Sequence, residues 1–206
     1  KYAPLAPFSK NDLMLITDKE ATSNTVSINY PAFIDPPVSI IEEYRNDQIR
    51  NLFTRMFNQR LQELTQKENP PFNGAGGSFG SYARGYDAFS VYAGAGTGDV
   101  KRAMQVLLEE LERVKRFGFT ATELERSKKN MISTYERAFN NRDKNESANY
   151  VEEYISNFLQ KDPTPGIEYE FEKVKELLPG ISIEEVNNLV NKYIKGVDNR
   201  FTYVTG

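Results

Sequence analysis

The sequence predicts an α+β domain in which helices pack on one face of an antiparallel sheet. Three observations support this class: strand-like runs occur in pairs, helical runs come in blocks, and the order is β-β-α-β-β, then several helices, then β. Hydrophobic residues make up 39% of the 206 residues and charged residues 27%, which is a globular composition. We therefore expect one domain over residues 1–206, with residues 1–10 as an extended lead-in.

Two strands and a long helix are predicted first. Asp12–Asp18 and Thr25–Tyr30 are short runs rich in Ile, Leu, Val and Thr, and Pro31–Val38 is expected to end this part of the sheet. From Ile40 onward, apolar residues recur at three- and four-residue steps, so an amphipathic helix is predicted to run until shortly before Pro70.

A hairpin follows the long helix. Phe79–Ala83 and Ala88–Ala93 alternate as antiparallel strands do, and Arg84–Asp87 joins them. The glycine-rich Gly74–Gly77 is interpreted as a flexible loop or bulge before the first of these strands.

A second glycine-rich segment, Gly94–Gly98, lies between a strand and a helix, where such a loop can bind phosphate. Its spacing matches no phosphate-binding fingerprint, and Asp99 adds a negative charge at the helix start, so a plain strand-to-helix turn is favoured.

Helices dominate the second half of the chain, and local signals mark several of their ends. Gly118 is predicted to cap one helix, while Thr120 and Ser182 each open a helix with a capping box. The remaining predicted elements are helices over Glu146–Leu159 and Tyr169–Leu178 and a last strand over Phe201–Val204.

We expect the helical tyrosines to be packing residues, namely Tyr135, Tyr150, Tyr154 and Tyr169.

The composition excludes several kinds of catalytic site. The chain contains neither histidine nor cysteine, so it lacks the usual zinc ligands and the base of a serine or cysteine triad. Scattered carboxylates suit weak Ca²⁺ or Mg²⁺ binding at most. Ser127 beside Lys128 is formally a Ser–Lys pair, but a solvated helix face is the favoured interpretation.

Charge and hydropathy argue against nucleic acid and membranes as partners. The net charge is −3, so no basic field favours nucleic acid, and no apolar run approaches the roughly 18 residues of a membrane span. The absence of cysteine suits either a reducing cytosol or a bacterial periplasm.

Four segments carry a family resemblance, and together they extend over most of the chain: Phe57–Leu64, Gly118–Glu125, Glu168–Glu170 and Leu177–Val186. They resemble the second, non-catalytic domain in the first half of bacterial pitrilysin/insulinase-type zinc metallopeptidases, relatives of the mitochondrial processing peptidase. The resemblance implies the processing-peptidase-like fold and a parent chain whose separate catalytic domain binds zinc through an inverted His-x-x-Glu-His motif. No such motif occurs here, so no cofactor is expected in this part of the protein.

The resemblance also bears on substrate contacts. In the family, an Arg and a Tyr seven residues apart bind the peptide, and their positions fall here on Thr65 and Phe72, which cannot supply those donors. On or beside the hairpin, the residues expected to face a substrate chamber are Phe72, Phe79, Tyr82 and Arg84.

The first functional hypothesis is a structural domain that shapes the substrate chamber of a zinc metalloendopeptidase without being catalytic. The alternative is an interaction or assembly module of an inactive peptidase homologue. Expected partners are the catalytic domain of the same chain, the parent's peptide substrate and a second copy in a homodimer, since an apolar face would otherwise be exposed. The expected location is the bacterial periplasm or cell envelope, with the cytoplasm as the alternative.

Overall fold

A computed structural model of the chain describes residue 5 and residues 10–34, 41–144, 147–160, 163–194 and 199–206, without the side chains of residues 147–149, 152 and 160. The described strands are β1 (Asp12–Ile16), β2 (Asn24–Asn29), β3 (Phe33–Ile34), β4 (Gly74–Ala83), β5 (Tyr86–Gly96) and β6 (Phe201–Thr205). The described α-helices are α1 (Ile41–Thr65), α2 (Val100–Phe117), α3 (Ala121–Asn140), α4 (Ser147–Gln160), α5 (Ile167–Leu177) and α6 (Ile183–Tyr193).

The chain forms two compact units. The first consists of the described residues within 1–35, 53–119 and 187–206, and the second of those within 36–52 and 120–186. Within the described ranges, no helix is long and apolar enough to cross a membrane.

The first unit contains the whole described sheet. β5 pairs antiparallel with β4 along one edge and with β2 and then β3 along the other, while β6 joins β2 to β1. The expected antiparallel sheet is therefore confirmed for every pair except β1 with β6, which run parallel. The short strand β3 also falls inside the segment that was expected to end the sheet.

The sheet has one covered face and one open face. Along β5, Phe89, Val91, Ala93 and Ala95 are buried, whereas Tyr92 between them is 53% exposed. Helix α2 contacts β5 and β2 on the covered face. This alternation has the period of two that a half-buried strand requires, and it confirms the predicted packing of helices on one face.

Aromatic rings fill the core of the first unit. Phe53 is fully buried, and its ring centroid lies 5.7 Å from that of Phe89 and 5.3 Å from that of Phe119, both edge to face. Phe57 and Phe79 join the same cluster. Edge-to-face contacts of this kind stabilise a core in addition to the stabilisation that comes from burying apolar area.

In the second unit, α3 contacts α5, and the rings of Phe139 and Phe171 lie 5.4 Å apart.

An ion pair also forms within the second unit. Arg45 donates to both carboxylate oxygens of Glu185, at 2.7 and 3.0 Å, and to the carbonyl of Gly180 at 3.2 Å. The bidentate hydrogen bond from Arg45 is the main reason that the pKa of Glu185 is lowered.

The caps predicted at Gly118, Thr120 and Ser182 are confirmed. Gly118 closes α2 with a φ of 67°, and Thr120 and Glu123 form a capping box at the start of α3. The Ser182 hydroxyl accepts from the Glu185 amide while the Glu185 carboxylate accepts from the Ser182 amide, so the second capping box is present as well.

Candidate functional site

No metal centre forms in the described part of the chain, where no three acidic side chains come close enough to hold an ion. The sequence also contains no histidine or cysteine, the side chains that most often bind zinc.

The four residues expected to face a chamber lie in different surroundings. Phe72 is 2% exposed and therefore buried. Phe79 is half-buried, and its ring contacts those of Phe53 and Phe89 in the aromatic core. Tyr82 is 40% exposed near the end of β4, and Arg84 is exposed in the turn before β5. Only Tyr82 and Arg84 therefore present side chains at the surface.

The two positions that carry substrate-binding residues in the family also differ in setting. Thr65 is the last residue of α1, and its hydroxyl donates to the carbonyl of Gln62 at 2.7 Å. Phe72 is buried, so the pair does not form an exposed donor set.

Ser127 and Lys128 were expected on a solvated helix face, and that expectation is wrong. Both are 7% exposed. Lys128 Nζ donates to Glu125 Oε1 at 3.2 Å and to the carbonyl of Pro179 at 3.4 Å. The ammonium is thus held by an acid and a backbone oxygen. Since residues i and i+1 diverge by about 100° on a helix, it is not aligned with Ser127 as a base.

The glycine-rich segment before the hairpin is not a loop, because β4 begins at Gly74. A Cβ at Gly76 would lie 2.8 Å from the Tyr92 ring, and a Cβ at Gly77 would lie 2.8 Å from the Phe57 ring. Aromatic rings therefore lie against both faces of β4, and only glycine leaves room for them. Gly94–Gly96 likewise belong to β5, and the turn that follows leads to Asp99, the N-cap of α2.

Asn58 occupies the outer edge of β4. Its side-chain amide donates to the carbonyl of Gly77 at 3.1 Å and accepts from the Gly77 amide at 2.7 Å. These bonds satisfy a strand peptide that would otherwise be open to pairing with another chain.

The uncovered side of the sheet is the main candidate interaction surface. The strand register brings Tyr92, Tyr203 and Met14 into one row across it, and Ile16 and Phe201 lie on the same side. We call these five residues the open sheet face. Met14 is 49% exposed and Ile16 46%, and the rings of Phe201 and Tyr203 lie 6.1 Å apart. A contiguous surface rich in tyrosine and apolar side chains is typical of protein interfaces.

Helix α4 carries a second apolar surface in the second unit. It is formed by exposed residues at steps of four along the helix, namely Tyr150, Val151, Tyr154, Ile155, Phe158 and Leu159. The expectation that the helical tyrosines are packing residues is wrong here, since Tyr154 is 64% exposed and Tyr169 on α5 is 48% exposed. The sequence predicted a helix here, but a helical pattern alone does not show whether another element covers its apolar side.

A small cavity of about 190 Å³ lies in the first unit, with mainly apolar walls that include Tyr30, Leu111 and Ile194. Burial raises the pKa of the Tyr30 hydroxyl, and the nearby Arg200 partly offsets this. Sites for drug-sized ligands are usually at least about 300 Å³, so this cavity is too small for a peptide.

Known proteins are similar to this chain in sequence and in fold. Residues 2–131 match the family described as the peptidase M16 inactive domain. A protein named zinc protease PQQL-like from Arabidopsis thaliana is 28% identical over 189 residues, which are 92% of this chain and 17% of that protein.

Solved structures give the same result for the fold. The periplasmic protease PqqL from Escherichia coli superposes with a TM-score of 0.90 at 20% identity, covering 100% of this chain and 23% of that one. A predicted insulinase family protease from Yersinia pestis superposes with a TM-score of 0.80 at 11% identity, covering 98% and 43%. The chain therefore spans less than a quarter of the Arabidopsis relative and of PqqL.

Proposed function

This chain belongs to the peptidase M16 inactive-domain family, and on that premise we propose that it is the non-catalytic domain that shapes the substrate chamber of a zinc metalloendopeptidase. The observation that carries the proposal is the match over residues 2–131 in a chain that has no histidine or cysteine. The zinc, its ligands and the general base would then belong to another domain of the same parent chain.

The catalytic domain is the partner that we assign to the open sheet face. This face combines exposed Met14 and Ile16 with Tyr92 and Tyr203. The similar proteins from Arabidopsis thaliana and Escherichia coli are both several times longer than this chain, which leaves room in such a protein for a further domain. Covering this face with another domain would remove its apolar surface from water. Each Å² of apolar surface buried stabilises such a contact by about 25 cal/mol.

Tyr82 and Arg84 are the residues that we assign to peptide contact. They are exposed at the end of the β4–β5 hairpin, where a phenol and a guanidinium supply donors for peptide carbonyls and carboxylates. Because Phe72 is buried and Phe79 packs in the aromatic core, they are left out of this assignment.

A periplasmic location is part of the same proposal. It is supported by the similarity to a protein described as a periplasmic protease.

The central test compares the 206-residue chain with its full-length parent. The parent is expected to cleave unfolded peptides in a chelator-sensitive manner, whereas this chain alone is expected to cleave none and to bind no stoichiometric zinc in a calorimetric titration. Cleavage by the chain alone, or a tight one-to-one zinc isotherm, would contradict the proposal. A parent without an inverted zinc motif would instead identify an assembly module of an inactive homologue.

Substitutions test the open sheet face and the peptide contact separately. Tyr92→Glu is expected to weaken binding of this chain to a separately produced catalytic domain, whereas Tyr169→Glu, at a tyrosine of similar exposure on α5, should not. In the parent, the double variant Tyr82→Ala with Arg84→Ala is expected to raise KM for peptides. An unchanged KM would remove these two residues from the site.

A further inference from the structure

The outermost strand β1 is an unusually apolar sheet edge. Its residues Leu13, Met14, Leu15 and Ile16 are 59%, 49%, 68% and 46% exposed. In the described ranges β1 pairs with β6 alone, along one side. Proteins normally protect such edges with charge, proline or a covering element, as Asn58 does here for β4.

The backbone of β1 determines which groups face outward. The Asp12 amide donates to the carbonyl of Arg200 at 2.9 Å, and the Ile16 carbonyl accepts from Gly206 at 3.0 Å. Even-numbered residues of β1 therefore direct their peptide groups toward β6. Because these directions alternate along a strand, Leu13, Leu15 and Thr17 direct theirs to the open side.

We propose that β1 pairs antiparallel with β1 of a second copy about a twofold axis at Met14, so that the two sheets join edge to edge. Leu13 then faces Leu15 of the second copy and exchanges two backbone hydrogen bonds with it. In the single protomer the Leu13 amide donates to its neighbour Asp12 Oδ1 at 3.0 Å, and pairing replaces this local bond.

Charge complementarity selects both the second copy and the register. The apolar run is flanked by Lys10 and Asp18, which are exposed and lie four residues on either side of Met14. Lys10 and Asp18 lie two residues beyond the ends of β1, so an antiparallel twofold pairing centred on Met14 that continues past both ends places Lys10 of each copy opposite Asp18 of the other, twice in the dimer. Opposite charges in directly facing positions stabilise a strand pair.

Registers centred on Asp12, Leu13 or Leu15 lack this match. Only registers centred on a whole residue are compatible with the outward direction of the odd-numbered peptide groups. A centre at Leu15 would place Asp12 opposite Asp18, and a centre at Asp12 would place two copies of Asp12 opposite each other. A centre at Leu13 would place Lys10 opposite Ile16 and would form no pair of opposite charges, whereas the Met14 register places Asp12 opposite Ile16 but forms the Lys10–Asp18 pair twice. Charge pairing thus favours Met14 over these three.

The test is sedimentation of the 206-residue chain over a concentration series. A monomer–dimer equilibrium is expected for the native chain. Lys10→Glu and Asp18→Lys should each raise the dimer dissociation constant about tenfold, because each places like charges opposite one another twice. The double variant Lys10→Glu with Asp18→Lys should restore dimerisation. Lys101→Glu, a charge reversal at an exposed position on α2, serves as the control.

Leu15→Pro is an independent probe of the strand edge. Proline removes an outward-facing amide without breaking a bond to β6, so it should abolish the dimer while leaving the circular dichroism spectrum unchanged. A strictly monomeric chain at high concentration would overturn the proposal. So would a dimer that the charge exchange does not restore, or one that survives Leu15→Pro and therefore forms through another surface such as α4.

Discussion

The side-chain amide of Asn187 forms a closed pair of hydrogen bonds with the backbone of Phe119. Its Oδ1 accepts from the Phe119 amide at 2.8 Å, and its Nδ2 donates to the Phe119 carbonyl at 3.2 Å. Phe119 lies between the end of α2 and the start of α3, and its backbone has no helical partner there. A Cβ on the preceding Gly118 would lie 2.6 Å from Asn187 Nδ2, so only glycine fits at position 118 beside the Asn187 side chain.

Replacing Asn187 should therefore be costly. Asn187→Ala leaves the amide of Phe119, a residue that is 3% exposed, without its partner, and we expect a loss of roughly 1–3 kcal/mol in the free energy of unfolding. Urea denaturation measures this loss. Asn188→Ala, at the exposed neighbour, is the control and should change the free energy by less than about 0.5 kcal/mol. Equal effects of the two substitutions would contradict the role of Asn187.

Two glycines within β4 should tolerate alanine differently. Gly77→Ala places a Cβ 2.8 Å from the buried Phe57 ring and 3.0 Å from Val91, and we expect a loss of roughly 1–3 kcal/mol from overpacking. At Gly80 a Cβ meets nothing within 4 Å, so Gly80→Ala should be neutral or slightly stabilising. The shift in thermal midpoint for each variant decides the point, and similar shifts would mean that the Phe57 ring moves aside.

Glu110 should contribute much more to stability than its neighbour in sequence. It is 3% exposed and lies 3.4 Å from Arg60 Nη1 and 3.2 Å from Arg113 Nη1. Removing one member of a buried ion pair typically costs about 3–5 kcal/mol, so Glu110→Ala should come close to unfolding a marginally stable domain. Glu109→Ala, at an exposed residue of the same helix, should be nearly silent by chemical denaturation.

The carboxyl group of Glu170 should make stability depend on pH. Burial raises its pKa, and the charge of Glu153 raises it further. A raised folded-state pKa means that the neutral form is favoured, so the stabilising contribution is complete below the unfolded value of about 4.3 and is lost as pH rises through the folded value.

Glu170→Gln, which stays neutral, should therefore raise the thermal midpoint at pH 7, and the gain should vanish near pH 4. Glu172→Gln, at an exposed position on the same helix, is the control. A gain that is independent of pH would show that the substitution acts through packing instead of ionisation.

Local sequence determined the helix ends and the chemistry that is absent. Capping boxes at Thr120 and Ser182 and the glycine C-cap at Gly118 depend on contacts three to five residues apart, so they can be predicted without a fold. The missing histidine and cysteine exclude a conventional zinc site however the chain folds.

Only the tertiary structure decided which faces are covered and which distant strands pair. The parallel pairing of β1 with β6 joins residues near 12 and near 201, and no local pattern specifies it. The sequence showed Gly74–Gly77 as glycine-rich, but the Phe57 and Tyr92 rings that explain those glycines are brought there by folding. The burial of Phe72, Ser127 and Lys128 and the exposure of Tyr154 have the same origin, because periodicity fixes the side of an element and only packing fixes what covers that side.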